Sequence, residues 1–138
     1  MLLFADASAW IALLIARDSN HGRALEFFRS LGRRDRLCTS NYVLSETYTW
    51  LAYRRYRRAA GELNRMVSGA EKVGSLRMLW VERDVHDKAW DVFQRYDDQA
   101  FSFCDCTTAV LCQANQVDFV FGFDRDFLTM GLDLKPGP

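Results

Sequence analysis

Leu2-Leu3-Phe4-Ala5-Asp6-Ala7-Ser8 runs four apolar residues straight into a carboxylate, a small residue and a hydroxyl. A short continuous apolar run of this kind reads as a buried strand. The next stretch, Trp10-Ile11-Ala12-Leu13-Leu14-Ile15-Ala16, is too apolar for a surface helix and reads as a helix packed on a sheet. Asp6 then falls where the first strand ends and the first helix begins. In open parallel sheets, ligands bind at that edge, outside the carboxyl ends of the strands. Taken alone, Asp6 or Ser8 is equally well explained as a helix cap. The placement of the other acids decides between the two.

At 138 residues the chain reads as a single domain spanning 1–138, long enough to bury a core. Half of the residues are apolar, which argues for a globular fold and against disorder. No apolar run reaches membrane length, and no basic region precedes the first apolar stretch. Neither a spanning helix nor a signal peptide is expected, and a cytoplasmic location is. The formal net charge is zero, so no global field points to a nucleic acid. The positive charges are nearly all Arg and cluster at Arg33-Arg34-Asp35-Arg36 and Arg54-Arg55-Tyr56-Arg57-Arg58. Cys38, Cys104, Cys106 and Cys112 fit no zinc spacing and read as small core hydrophobes in a reducing compartment.

Further along, Asn20 opens a helix over 21–31, and Leu37-Cys38-Thr39 reads as a second strand. A third helix is expected from about Tyr42 to Arg57. On its wheel Glu46 shares a face with Tyr42, Val43, Trp50 and Tyr53, and a carboxylate buried in such a stripe needs compensation. The arginines in its last turns suit the helix dipole. A fourth helix is expected from about Gly61 to Val73, a strand at Met78-Leu79-Trp80-Val81, and a helix over 84–96. Ser102 and Asp105 make an S-x-x-D capping box at the start of the next helix, with Phe101 and Cys106 as its staple. Val117-Asp118-Phe119-Val120-Phe121 reads as the fourth strand, followed by Asp124 and Asp126 in a turn-like context. A short edge strand is expected around Leu132-Asp133-Leu134. Strands alternating with helices imply an α/β fold, an α/β/α sandwich around a mostly parallel sheet of four to five strands.

Each acid has a structural explanation by itself. Together, Asp6 and Asp124 follow strands, while Glu46 and Asp105 lie early on helices. A parallel sheet brings all four to one carboxyl-end edge. Carboxylates so close do not all stay ionised without a cation. Oxygen-only ligands suit Mg²⁺ or Mn²⁺ rather than zinc, and such sites serve phosphate chemistry.

These residues resemble the PIN-domain proteins, most of all the VapC-type toxins of toxin–antitoxin pairs. The matching motifs are Asp6-Ala7-Ser8, Ser45-Glu46-Thr47, Phe101-Ser102-Phe103-Cys104-Asp105-Cys106 and Phe123-Asp124-Arg125-Asp126-Phe127. The resemblance implies a PIN-like fold and an Mg²⁺- or Mn²⁺-dependent ribonuclease. Carried over, the catalytic acids are Asp6, Glu46, Asp105 and Asp124. Asp6, Asp105 and Asp124 would hold the metal, and Glu46 would act through water. Ser8 and Asp126 would support the site from behind the ligands. The resemblance also implies an RNA substrate, an antitoxin protein and a homodimer. One departure is Gly122, where many members carry a Thr whose hydroxyl is lost here. Arg54, Arg55, Arg57 and Arg58 are candidates for steering RNA phosphates, with Tyr53 and Tyr56 as stacking surfaces. His21 and His86 have no framing pattern and read as structural or merely exposed.

Two other readings stand beside this one. The first is a non-catalytic PIN-fold module that binds RNA or protein; the complete acid set argues against it. The second is another Mg²⁺-dependent α/β phosphotransfer or phosphatase domain. That chemistry needs a Lys after a core strand, and Lys72, Lys88 and Lys135 do not supply one.

Overall fold

The apolar run at the N-terminus becomes the central strand. In the computed structural model, which describes residues 1–138, five strands form one sheet. They are β1 (Leu2–Ala5), β2 (Arg36–Ser40), β3 (Leu76–Leu79), β4 (Phe119–Gly122) and β5 (Leu134–Pro136). The order is β3-β2-β1-β4-β5, and every pairing is parallel. Leu3, Phe4 and Ala5 of β1 are fully buried, so both faces of the sheet must be covered by helices. Those helices are α1 (Ala7–Leu14), α2 (His21–Ser30), α3 (Asn41–Tyr53), α4 (Arg57–Lys72), α5 (Arg83–Arg95), α6 (Phe103–Ala114) and the short α7 (Asp126–Thr129).

The register assigns the faces, because side chains alternate along a strand. Leu3 pairs with Leu37 and Phe119, and Ala5 with Phe121. This set faces α1 and α2. Phe27 of α2 meets the rings of Phe119 and Phe121 at 5.9 and 4.9 Å, and Trp10 of α1 donates its indole N–H to Thr39 Oγ1 at 3.2 Å. Phe4 pairs with Cys38 and Val120 and faces the other way, toward α6 and Cys112. The expected α/β/α sandwich is therefore present, with five strands. All four cysteines are free, and Cys38, Cys106 and Cys112 are buried, as expected of small hydrophobes.

The chain builds β1, β2 and β3 outward in one direction, then returns to place β4 and β5 on the other side of β1. The sheet order reverses between β1 and β4. This is the switch point at which open parallel sheets leave a crevice at the carboxyl ends of their strands. Asp6 follows β1 there, and Asp124 follows β4.

Some expected boundaries move. α3 does not run on to Arg57: it stops at Tyr53, and α4 begins at Arg57 rather than Gly61. Between them Arg55 adopts a left-handed φ of 64°. The chain doubles back because Leu51, Ile11 and Ile15 form an apolar cluster that Trp50 and Tyr56 complete. β3 lies two residues earlier than expected, with Leu76 and Leu79 buried and Trp80 left exposed. β5 includes Pro136, which a sheet edge tolerates because its outer side has no strand to receive the N–H that Pro lacks.

Candidate active site

Asp6 is the N-cap of α1. Its Oδ2 accepts the backbone N–H of Ser8 at 3.2 Å and the Ser8 hydroxyl at 2.9 Å. It is buried, and that burial pushes its carboxyl up to about 6, against the lowering pull of the Ser8 bonds. Capping and site membership therefore coexist, both Ser8 bonds falling on Oδ2.

Asp105 shows the same duality. The capping box forms as expected, with Asp105 N–H donating to Ser102 Oγ at 3.0 Å and Ser102 N–H to Asp105 Oδ2 at 3.3 Å. The staple residues Phe101 and Cys106 share one small core cluster with Ala89 and Val110. Burial raises the Asp105 carboxyl to about 7, and the charge of Asp6, then that of Asp124, push the same way. Asp6, from the end of β1, and Asp105, from the start of α6, thus share one electrostatic neighbourhood.

Asp124 caps its own turn, accepting the N–H of Asp126 on Oδ1 at 2.9 Å. Carboxylate oxygens of Asp105, Asp124 and Asp126 lie within 4.8 Å of one another. The tightest acid group thus includes Asp126 and does not include Asp6. Partial burial, followed by the charge of Asp124, raises the Asp126 carboxyl. Asp126 reads from sequence as a supporting residue only, because the four-residue α7 that carries it is too short to announce itself by periodicity.

Glu46 departs from expectation in one respect. It is exposed rather than buried in an aromatic stripe, so its charge needs no compensation. It nevertheless belongs to the neighbourhood. Burial raises the Cys104 thiol, and the charges of Glu46, Asp6 and Asp105 raise it further.

At Gly122 a side chain would be crowded, since a Cβ there would lie 3.0 Å from Ser8 Oγ and 3.3 Å from Asp6 Cβ, and these neighbours would have to give by a few tenths of an ångström. A hydroxyl is present at this spot all the same, delivered from position 8.

Arg54, Arg55, Arg57 and Arg58 do not cap the end of one helix. They form the turn between α3 and α4. Arg57 and Arg58 start α4, at the positive end of its dipole, with no acid in its first turn. The dipole therefore does not explain Arg57 and Arg58, while Arg54, at the C-cap of α3, does sit where a dipole favours a cation. Arg55 and Arg58 join Arg17, Tyr56 and Glu62 around a cavity beside the end of α1. Arg54 lies over the Trp50 ring at 4.9 Å, and Tyr53 is 85% exposed. Of the histidines, His21 is structural, its Nδ1 lying 2.7 Å from the Ala12 carbonyl. His86 is not isolated. It meets Tyr42 Oη at 3.3 Å and the Phe103 ring at 5.0 Å, two residues from Asp105. Its partners come from α3 and α6, so no local pattern could reveal them.

The acids at the switch point, in the order Asp6, Glu46, Asp105, Asp124 and Asp126, all lie within residues 3–131, which the PIN domain family model matches. The chain is 31% identical over 137 residues to the 23S rRNA-specific endonuclease VapC20 of Mycobacterium tuberculosis, covering 98% of this chain and 99% of that protein. It is 27% identical over 105 residues to a VapC ribonuclease of Archaeoglobus fulgidus, covering 74% of this chain and 64% of that one. The crystal structure of M. tuberculosis VapC20, described as a Sarcin-Ricin loop cleaving toxin, matches with a TM-score of 0.81 over 94% of this chain and 95% of that one, at 31% identity. VapBC2 of Rickettsia felis, solved with a DNA fragment of its promoter, matches with a TM-score of 0.67 at 11% identity over 98% of each chain, a likeness of fold alone. With this sheet order, these acids at its switch point and a family match across nearly its whole length, the chain belongs to the PIN domain family.

Proposed function

We propose that this protein is a metal-dependent endoribonuclease that hydrolyses RNA phosphodiester bonds and acts as the toxin of a toxin–antitoxin pair. The observation that carries the reading is the meeting of acids from two strand ends and two helix starts, with oxygens of Asp105, Asp124 and Asp126 within 4.8 Å. Asp6 and Asp105 are pushed toward protonation there, which is the mark of a site short of positive charge. The donors are all oxygen, so the group that fits is Mg²⁺ or Mn²⁺. VapC20, which the chain resembles over its whole length, is a 23S rRNA-specific endonuclease.

Asp6, Asp105 and Asp124 are the residues to hold the ion, with Asp126 beside them. Bound there, a divalent ion supplies an acidified water and neutralises charge on the phosphate. Ser8 and Ser102 each fix one oxygen of their carboxylate. Glu46, on the solvent side, acts through water and accepts the proton of the attacking molecule. The Arg54–Arg58 turn lies at the far end of α1 from Asp6, ~12 Å away by helix rise. It holds flanking RNA phosphates, with Tyr53 free to stack on an unpaired base.

An antitoxin protein and a second copy of the chain are the partners this reading brings. The exposed Trp90 and Phe93, stacked at 5.6 Å on α5, offer an apolar face for the homodimer. No helix is long and apolar enough to cross a membrane. A single cytoplasmic domain, 1–138, suits these roles.

Incubating purified protein with a mixed RNA pool in Mg²⁺, Mn²⁺ or EDTA tests the proposal. Internal cleavage that needs either ion is the expected result. Cleavage unaffected by EDTA, or no cleavage together with no bound ion, overturns it and leaves the fold as a binding module.

A further inference from the structure

His86 takes no part in the acid group, yet rings from two other helices are arranged around it. It lies exposed near the start of α5. Its Nδ1 is 3.3 Å from Tyr42 Oη of α3. Its ring meets that of Phe103, the first residue of α6, edge-on, with centroids 5.0 Å apart and planes at 61°. Tyr42 and Phe103 meet in turn at 6.5 Å and 51°, and both are half-buried.

The frame behind these rings is fixed. At the start of α3, Asn41 Oδ1 accepts the Val81 N–H at 2.7 Å, which ties the entry of α5 beside Tyr42. Ala89 of α5 packs with Cys106 and Val110 of α6 in a buried cluster that Phe103 joins. The rings are therefore in place before anything binds, and little ordering remains to be done on binding.

Their position gives them a use. Tyr42 stands one turn before Glu46 on the same side of α3, and Phe103 stands two residues before Asp105. The rings border the acids. Their mutual angles matter as well. Trp50 lies against Tyr56 at 10° with Arg54 over its ring, and Trp90 and Phe93 lie against each other at 23°, so those faces are spent on one another. In an edge-on contact at least one ring keeps both faces. Tyr42, meeting the imidazole at its edge, holds the plane of His86 without covering it.

We propose that His86, framed by Tyr42 and Phe103, stacks on the base of an unpaired nucleotide flanking the scissile phosphate. The proposal rests on the ribonuclease reading and adds to it a determinant of which bond is cut. Sequence-selective recognition of RNA takes unstacked bases onto such rings. A site that works by stacking ranks bases by the ring they offer, so a purine is preferred to a pyrimidine there.

The test compares wild type with His86→Ala, His86→Phe and Tyr42→Phe, with thermal melts to confirm folding. Cuts in a mixed RNA pool with Mn²⁺ are mapped by sequencing the fragment ends, and KM and kcat are measured on one RNA that is cut. Single-stranded RNAs carrying one 2-aminopurine at successive positions are then bound in EDTA, where stacking quenches the fluorescence. Wild type should cut beside a purine and quench the probe. His86→Ala should raise KM at least about fivefold with little change in kcat, level the purine preference and lose the quenching. His86→Phe keeps a ring and should stay near wild type. Tyr42→Phe loses the tether and should raise KM by less than His86→Ala.

If His86→Ala keeps the wild-type KM, cut sites and quenching, the proposal fails while the ribonuclease reading stands. A fall in kcat at unchanged KM overturns it as well, and makes His86 a part of the chemistry or of the frame around the acids. If wild type cuts nothing, the ribonuclease reading falls. Quenching that depends on His86 would then keep the base site as part of an RNA-binding module, and no quenching would remove it and leave the rings to a protein partner.

Discussion

Asp105 is asked to do two things whose demands conflict. As the third residue of α6 it closes a capping box, which favours the charged carboxylate. As a buried acid beside Asp6 and Asp124 it is driven to hold its proton, and burial with those charges wins, raising it to about 7. Asn keeps the hydrogen-bonding shape and removes the charge. Asp105→Asn is therefore expected to raise the melting temperature of the metal-free protein at pH 8, by the equivalent of about 1–2 kcal/mol. The same variant should lose RNA cleavage by at least about a hundredfold. A melt and a cleavage rate on one preparation check both, and a lowered melting temperature would mean that capping outweighs repulsion. Arg55 poses a second conflict. It holds a φ of 64° that a non-glycine residue adopts at some cost. Arg55→Gly should gain about 1 kcal/mol in denaturant unfolding, by relieving the left-handed conformation. The same change should weaken RNA binding and flatten its dependence on salt by about one phosphate contact.

Among the elements, α6 and the α3–α4 turn show what the sequence could and could not disclose. The start of α6 was legible because everything that builds it is local: Ser102, Asp105, Phe101 and Cys106 lie within six residues and the structure joins them as read. Removing the cap hydroxyl, Ser102→Ala, should cost about 1 kcal/mol in unfolding. It should also slow cleavage more than it lowers Mn²⁺ affinity if Asp105 keeps its backbone partner; kinetics beside calorimetry separate the two. The α3–α4 break was not legible. Tyr42 to Arg57 contains no Gly or Pro, and what ends α3 is the fit of Leu51, Trp50 and Tyr56 against Ile11 of α1 and its C-cap Ile15. The same reason hid His86, whose neighbours Tyr42 and Phe103 belong to α3 and α6. Strand ends told more than helix ends because Asp6 and Asp124 follow their strands whatever the helices do. Glu46 was placed on the right element but with the wrong surroundings, since a helical wheel ranks faces and does not say which one is covered.

For the molecule as a whole, the crevice holds carboxylates that burial, with mutual repulsion added, disfavours in the charged form and that a cation relieves. Asp6 and Asp105 titrate near 6 and 7 when folded, against 3.8 for an ordinary Asp. Their protons are held more tightly in the folded state, so they favour folding at low pH and that advantage is lost as pH rises through 6 and 7. Metal-free protein should therefore be less stable at pH 8 than at pH 5.5, by about 2–3 kcal/mol. Mn²⁺ should restore most of the difference at pH 8 and little at pH 5.5, where protons compete for the same oxygens. Chemical unfolding at the two pH values, with Mn²⁺ or EDTA, measures this. The net charge of zero concealed this arrangement, because acids at the strand ends and arginines beyond α1 cancel in the sum while remaining apart in space.

The measurement to make first compares wild type and Asp105→Asn on one mixed RNA pool, each with Mn²⁺ and with EDTA. Wild type cutting only with Mn²⁺, beside a folded Asp105→Asn that does not cut, is the result expected of acids gathered to hold an ion for phosphodiester hydrolysis. Equal cutting by both proteins would contradict it, and would return Asp105 to its helix cap alone.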